Sequence, residues 1–199
     1  MARVTCNEVL EESVVAASLD PSQMPEPGEP ATQRTLEKLY LSQKDRPAVE
    51  ELPKCLLSFD PGGTTGVAEF QQLHFINAWQ VNTSCIEWGV DRYHHIIHAR
   101  ANQFGRENVK VVAEEYRIYA WRTKEHIGSD ILTLRLIGVL ECLCRQYRVL
   151  IHKQSAHIGK AFVTDQKLHE WNMYISGQPH ARDAIRHAAQ FLLFGKEIQ

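Results

Sequence analysis

The chain has 199 residues, 44% hydrophobic and 23% charged, which suits one folded domain with a tail. No apolar run approaches the ~20 residues of a membrane-spanning helix, and the acidic, interrupted start MARVTCNEVLEES lacks a signal-peptide pattern. The net charge of -2 hides a split: residues 1–53 hold 10 acidic and 5 basic side chains, residues 54–199 hold 14 and 17.

A body at +3 is compatible with binding phosphate backbones and equally with an ordinary solvated surface. The five cysteines (Cys6, Cys55, Cys85, Cys142, Cys144) are odd in number, scattered and without a CxxC pair. That argues against a disulfide framework and a zinc site, and fits a reducing cytoplasm.

Residues 18–33, SLDPSQMPEPGEPATQ, mix four prolines with acids and small polar residues, so they read as a linker or disordered tail. Residues 34–46 can form a short helix; whether it docks on the body stays open. The domain start is placed near Pro53, which divides the chain into an acidic, Pro-rich, largely disordered extension (1–53) and a folded domain (54–199).

CLLSF (55–59) reads as a buried strand, and GVAEF (66–70) with HFINAWQV (74–81) as two further strands in a meander. Apolar spacing from Glu87 to Phe104 predicts a helix stopped by Gly105. VKVVAEEY (109–116) is a fourth strand. Ser129 can cap a helix reaching Tyr147, and VLIHK (149–153) is a fifth strand. A short helix is expected over 164–174, and a last one opens at Pro179 and runs to about Leu193. Three strands followed by alternating helices and strands predict a mixed five-stranded sheet with helices on both faces, the order of the ribonuclease H fold.

Three motifs can carry chemistry. In SFDPGGTTGVAEF, Asp60 ends a buried strand, and glycines let the backbone turn and approach a ligand. The alternative is a turn capped by Asp. In VVAEEYRIY, Glu114 and Glu115 end a strand and point to opposite faces. Alone they read more readily as a solvated pair. In QPHARDAIRHAAQFLLF, His180 and Asp183 share a helix face, where the helix dipole favours an ionised Asp183. Three acids that meet would repel unless cations neutralise them, and hard oxygen ligands suit Mg²⁺ or Mn²⁺. Two such ions can clamp the attacking and leaving oxygens of a phosphodiester.

Asp-Pro-Gly-x-x-x-Gly after a first strand, Glu after the fourth, and His-x-x-Asp-Ala opening the last helix resemble the RuvC family of Holliday junction resolvases, most of all its phage-encoded members. The likeness spans about residues 54–195. It implies a Mg²⁺- or Mn²⁺-dependent endonuclease with two ions, acting on branched DNA, usually as a homodimer. By motif it gives Asp60, Glu114, His180 and Asp183 the metal-site positions, with Glu115 as the fallback for Glu114. The long N-terminal extension departs from the bacterial pattern.

Arg117, Tyr119, Trp121, Arg122 and Lys124 follow the fourth strand and interleave cations with rings. Cations can hold phosphates while rings stack on unpaired bases; the alternative is rings packed under the sheet edge. Lys153, Lys160, Arg182 and Arg186 are further phosphate candidates. Cys142 and Cys144 read as core. Other readings are a non-catalytic nucleic-acid-binding module, an RNA-processing nuclease, and an ATPase of the actin and sugar-kinase type, suggested by Asp-x-Gly-x-Thr. The last needs two such domains, and this chain has room for one.

Overall fold

A strand with both faces covered reads as a nearly continuous apolar run, and CLLSFD is one apart from the buried Ser58 and the closing Asp60. In the computed structural model, which describes residues 33–44, 46–116, 131–155 and 161–195, this strand (β1, Cys55–Asp60) is buried over its length and lies at the centre of the sheet. It pairs antiparallel with β2 (Thr64–Gln71), which pairs antiparallel with β3 (His74–Asn82). On its other side it pairs parallel with β4 (Val109–Glu115), and β4 pairs parallel with β5 (Leu150–Ser155). The order is β3-β2-β1-β4-β5, the mixed five-stranded sheet that the element order predicts.

Strand alternation sorts the core into two halves. Cys55, Leu57, Phe59, Val67, Val111 and Ala113 face α2 (Ile86–Phe104) and α3 (Leu132–Tyr147). Leu56, Ala68, Phe70 and Val112 face the other way, toward α1 (Gln33–Leu41) and α5 (Pro179–Phe194). Gly89 of α2 has no side chain because Leu136 of α3 fills that space. Arg100 of α2 reaches the sheet through a 2.8 Å ion pair with the buried Glu69. No helix among the described residues is long and apolar enough to cross a membrane.

Element ends differ from the sequence reading for identifiable reasons. The helix expected over 164–174 is α4, Asp165–Glu170, capped by the Thr164 side chain and closed where Asn172 takes a left-handed φ of 55°. Trp171 and Met173 beyond it are buried, which gave the sequence its longer helical look. Ser129 lies outside the described residues. Cys144 is core, but Cys142 is exposed, two residues away on the helix and so on another face. Burial pushes the Cys55 and Cys144 thiols up to about 12, so both stay protonated.

The largest departure is at the start. α1 docks: Leu36 and Tyr40 are fully or almost fully buried in the same half-core as α5. The Arg46 guanidinium binds the carbonyls of Leu193 and Gly195 at the end of α5. The folded body therefore begins before Pro53, within the segment that composition assigned to the extension. Leu36→Ala should lower stability by about 2–4 kcal/mol in urea unfolding. An unchanged midpoint and slope would show that α1 is not part of the cooperative unit.

Candidate active site

Strand register sets out the site. Phe59 of β1 pairs with Ala113 of β4, so the next residues, Asp60 and Glu114, stand side by side. Asp60 also pairs with Gly66 of β2, Gly66 with Gln80 of β3, and Glu114 with Gln154 of β5. Gln80, Gly66, Asp60, Glu114 and Gln154 thus form one row across all five strands, on the face covered by α5. Glu115 falls on the opposite face, with Ala113 and Val111. The choice of Glu114 over Glu115 as the acid beside Asp60 follows from this alternation.

α5 lays a matching stripe over the row. His180, Asp183 and His187 are three and four residues apart, hence on one helix face. The His180 N–H donates to Gln80 Oε1 at 3.0 Å, which satisfies one of the helix's free first-turn donors. His180 Nδ1 lies 2.8 Å from Asp60 Oδ2, and His187 Nε2 lies 3.0 Å from Glu114 Oε2. The other nitrogen of His187 is 3.1 Å from Gln154 Oε1. Asp183 pairs with Arg186, which also holds Asp165 of α4 and the Val163 carbonyl. Asp183 sits beyond the first turn of α5, where the helix dipole has faded; Arg186, not the dipole, is its cationic partner.

Gly66 explains how the helix comes so close. A Cβ there would overlap the His180 carbonyl and come within 2.7 Å of the Ala181 nitrogen. Neither Gly62 nor Gly63 takes a positive φ, and the close approach that requires glycine within the chain is the one at Gly66. The turn is held from below. Thr65 Oγ1 lies 2.8 Å from Thr83 Oγ1 and 2.7 Å from the Tyr93 hydroxyl, all buried, and Thr83 donates to the Gly62 carbonyl.

The acids feel one another. Burial first, and then the Glu114 charge, push the Asp60 carboxyl up to about 6. The His180 hydrogen bond opposes this and Asp183 adds to it. Three mutually repelling carboxylates with hard oxygens fit a divalent cation in donor chemistry. They are not yet gathered round one point: among the described residues no trio of His, Cys, Asp or Glu is close enough to hold an ion. Each acid is instead turned to its own base, Asp60 to His180, Glu114 to His187 and Asp183 to Arg186.

The structure does not bring every candidate here. Lys153 points to the α3 face, where its ammonium binds Glu141 at 2.6 Å. Arg182 is turned to the Ile175 carbonyl and stacks over the Tyr174 ring at 4.8 Å. Arg117, Tyr119, Trp121, Arg122, Lys124 and Lys160 lie outside the described residues. Gln80, Gln154 and His187 were missed from sequence. Only His187 left a signal there, as the next position of the His180–Asp183 stripe.

No family model matches the chain, and no curated protein matches it by sequence. Solved structures do. RuvC of Thermus thermophilus in complex with Holliday junction substrate has a TM-score of 0.53 at 17% identity, covering 70% of this chain and 93% of that one. A second Thermus thermophilus RuvC structure has a TM-score of 0.50 at 15% identity, covering 70% and 94%. The yeast mitochondrial Holliday junction resolvase gives 0.46 at 11% identity, covering 81% and 91%. The two RuvC structures establish the fold: this chain is built on the RuvC-like, ribonuclease H-type framework.

Two measurements check the geometry. Gly66→Ala should cost about 1–3 kcal/mol, because helix or strand must shift to admit the methyl group. A fully stable Gly66→Ala protein would contradict the close approach at His180. The second concerns Asp60, whose folded value of about 6 lies above its ordinary 3.8. The folded state holds the proton more tightly, so this group's favourable contribution is present below about pH 4 and lost as pH rises through about 6. In EDTA, Asp60→Asn should therefore gain on the parent by up to about 3 kcal/mol between pH 4 and pH 7. A stability difference independent of pH would refute the crowding of charge around Asp60.

Proposed function

We propose that the chain is a divalent-metal-dependent endonuclease that cuts branched DNA, of the Holliday junction resolvase type. The observation that carries this reading is the row of Asp60 and Glu114 in register under Asp183 and His180 of α5. The fold likeness supports it, because the Thermus thermophilus RuvC in one of the compared structures is held with Holliday junction substrate. The weak likeness in sequence leaves the substrate to be tested directly.

In this reading Asp60, Glu114 and Asp183 hold two Mg²⁺ or Mn²⁺ ions, with His180 as a fourth donor or a proton carrier. When bound, such ions neutralise the carboxylates and stabilise charge on the attacking and leaving oxygens of a phosphodiester. The remaining work falls to the chain itself. Asp60 fixes the His180 ring through Nδ1 and leaves Nε2 to accept or give a proton at the mouth of the site, where the side chain is 44% exposed. Arg186 neutralises Asp183 and Asp165, and so limits repulsion of an incoming phosphate. The stretch from Arg117 to Lys124, with Lys160, is the proposed DNA contact. Paired cuts across a four-way junction need two such sites, which a homodimer supplies. A phage origin and action in the host cytoplasm belong to the same reading.

The test is cleavage of labelled four-way junction, linear duplex and single-stranded RNA, each with Mg²⁺ and with EDTA. Paired nicks in the junction alone, dependent on Mg²⁺, are expected. Asp60→Asn should abolish cutting while junction binding in a gel-shift assay persists. Cutting of RNA alone, or undiminished cutting by Asp60→Asn, would overturn the assignment.

A further inference from the structure

We propose that His187, braced by Gln154, is a positioning residue that sets the orientation of the Glu114 carboxylate. The inference rests on the metal-dependent nuclease reading above and goes beyond it in assigning a role to residues that touch no reacting atom.

The position is an expensive one for a histidine. His187 is 1% exposed and lies in the middle of α5, among Ala184, Ala188 and Phe191, all core residues. An apolar side chain would fill such a place without any polar group to satisfy, whereas a buried imidazole costs free energy unless both nitrogens find partners. Both do: Nε2 lies 3.0 Å from Glu114 Oε2, and Nδ1 lies 3.1 Å from Gln154 Oε1. Gln154, itself buried, is the register partner of Glu114 on the neighbouring strand, so ring, amide and carboxylate close a small circuit between α5, β4 and β5.

The direction of the bond to Glu114 follows from the acceptor. An ionised carboxylate only accepts, so Nε2 carries a proton and donates. The Gln154 amide occupies Nδ1, and the Nε2–H is the ring's donor to Glu114. Held by Oε2, Glu114 keeps its other oxygen for a cation, and the rotation of its long side chain is restricted before any ion arrives. A residue next to a ligand acts in this way by fixing orientation, and its loss typically weakens metal affinity by about 10–100-fold.

The experiment measures Mn²⁺ affinity of the full chain by electron paramagnetic resonance, with thermal unfolding in EDTA as a control. The parent should bind Mn²⁺ and Glu114→Gln should bind it weakly. His187→Leu should lose about ten-fold or more in affinity, and His187→Gln, which keeps an N–H donor, should recover part of it. In the Glu114→Gln background, His187→Leu should cause no further loss, because its effect passes through Glu114. A purely structural role would lower affinity and melting temperature in both backgrounds alike, and would overturn the proposal. Should His187→Leu fail to fold, Gln154→Met carries the test: it removes the brace on Nδ1 while His187 and Glu114 stay in the chain, and it should weaken Mn²⁺ binding in the parent and not in the Glu114→Gln background. A parent that binds no Mn²⁺ defeats the metal reading itself. A parent that binds, with His187→Leu binding equally well, defeats only the positioning role.

Discussion

The contact between the first turn of α5 and the bare backbone of β2 at Gly66 is what the rest of the site depends on. The residues supplied by the helix lie far along the chain from most of those supplied by the sheet, His180 standing 120 positions after Asp60. They meet because one strand residue has no side chain where the helix carbonyl comes down. Gln80 then receives the helix N–H next to that contact, which fixes height and rotation together. With both set, the stripe of His180, Asp183 and His187 lies over the row from Gln80 to Gln154, and each polar group meets a complementary one.

The electrostatic arrangement has a second consequence. Concentrating carboxylates at one end of a sheet works against folding, most of all at Asp60, which is almost fully buried. Each of the three acids meets a basic side chain of α5, Asp60 at His180, Glu114 at His187 and Asp183 at Arg186. In the proposed metal site, those same basic partners are what a bound cation would have to displace or accommodate.

Much of this was legible in the amino-acid sequence where the signal was local. The apolar run of β1, the alternation in β4 and the Pro-initiated α5 each carry their own period, so the order of elements along the chain and the acids at their ends could be read directly. Choosing between Glu114 and Glu115 needed the register, because the two alternate across the sheet and only pairing with β1 says which side faces α5. Gln80 and Gln154 could not have been found: an isolated glutamine in a strand has no sequence signature, and its role comes entirely from what packs above it. The docking of α1 was masked by its setting. Leu36 and Tyr40 have helical spacing, but they follow a Pro-rich acidic stretch whose composition dominates any reading of the first fifty residues. The exposed Cys142 failed for the opposite reason, since a helix apolar over a wide arc does not mark where its buried edge ends.

Arg46 gives the N-terminal region a significance beyond its charge. By holding the carbonyls of Leu193 and Gly195, it grips the helix that carries His180 and Asp183 at the end remote from them. A shortened protein starting at the apparent domain edge would lose this grip together with Leu36 and Tyr40, and would leave Phe191 and Leu192 wet. In the proposed nuclease, reduced cutting by such a fragment would reflect a slackened lever arm and would be no sign that the acidic tail recognises DNA or a protein partner.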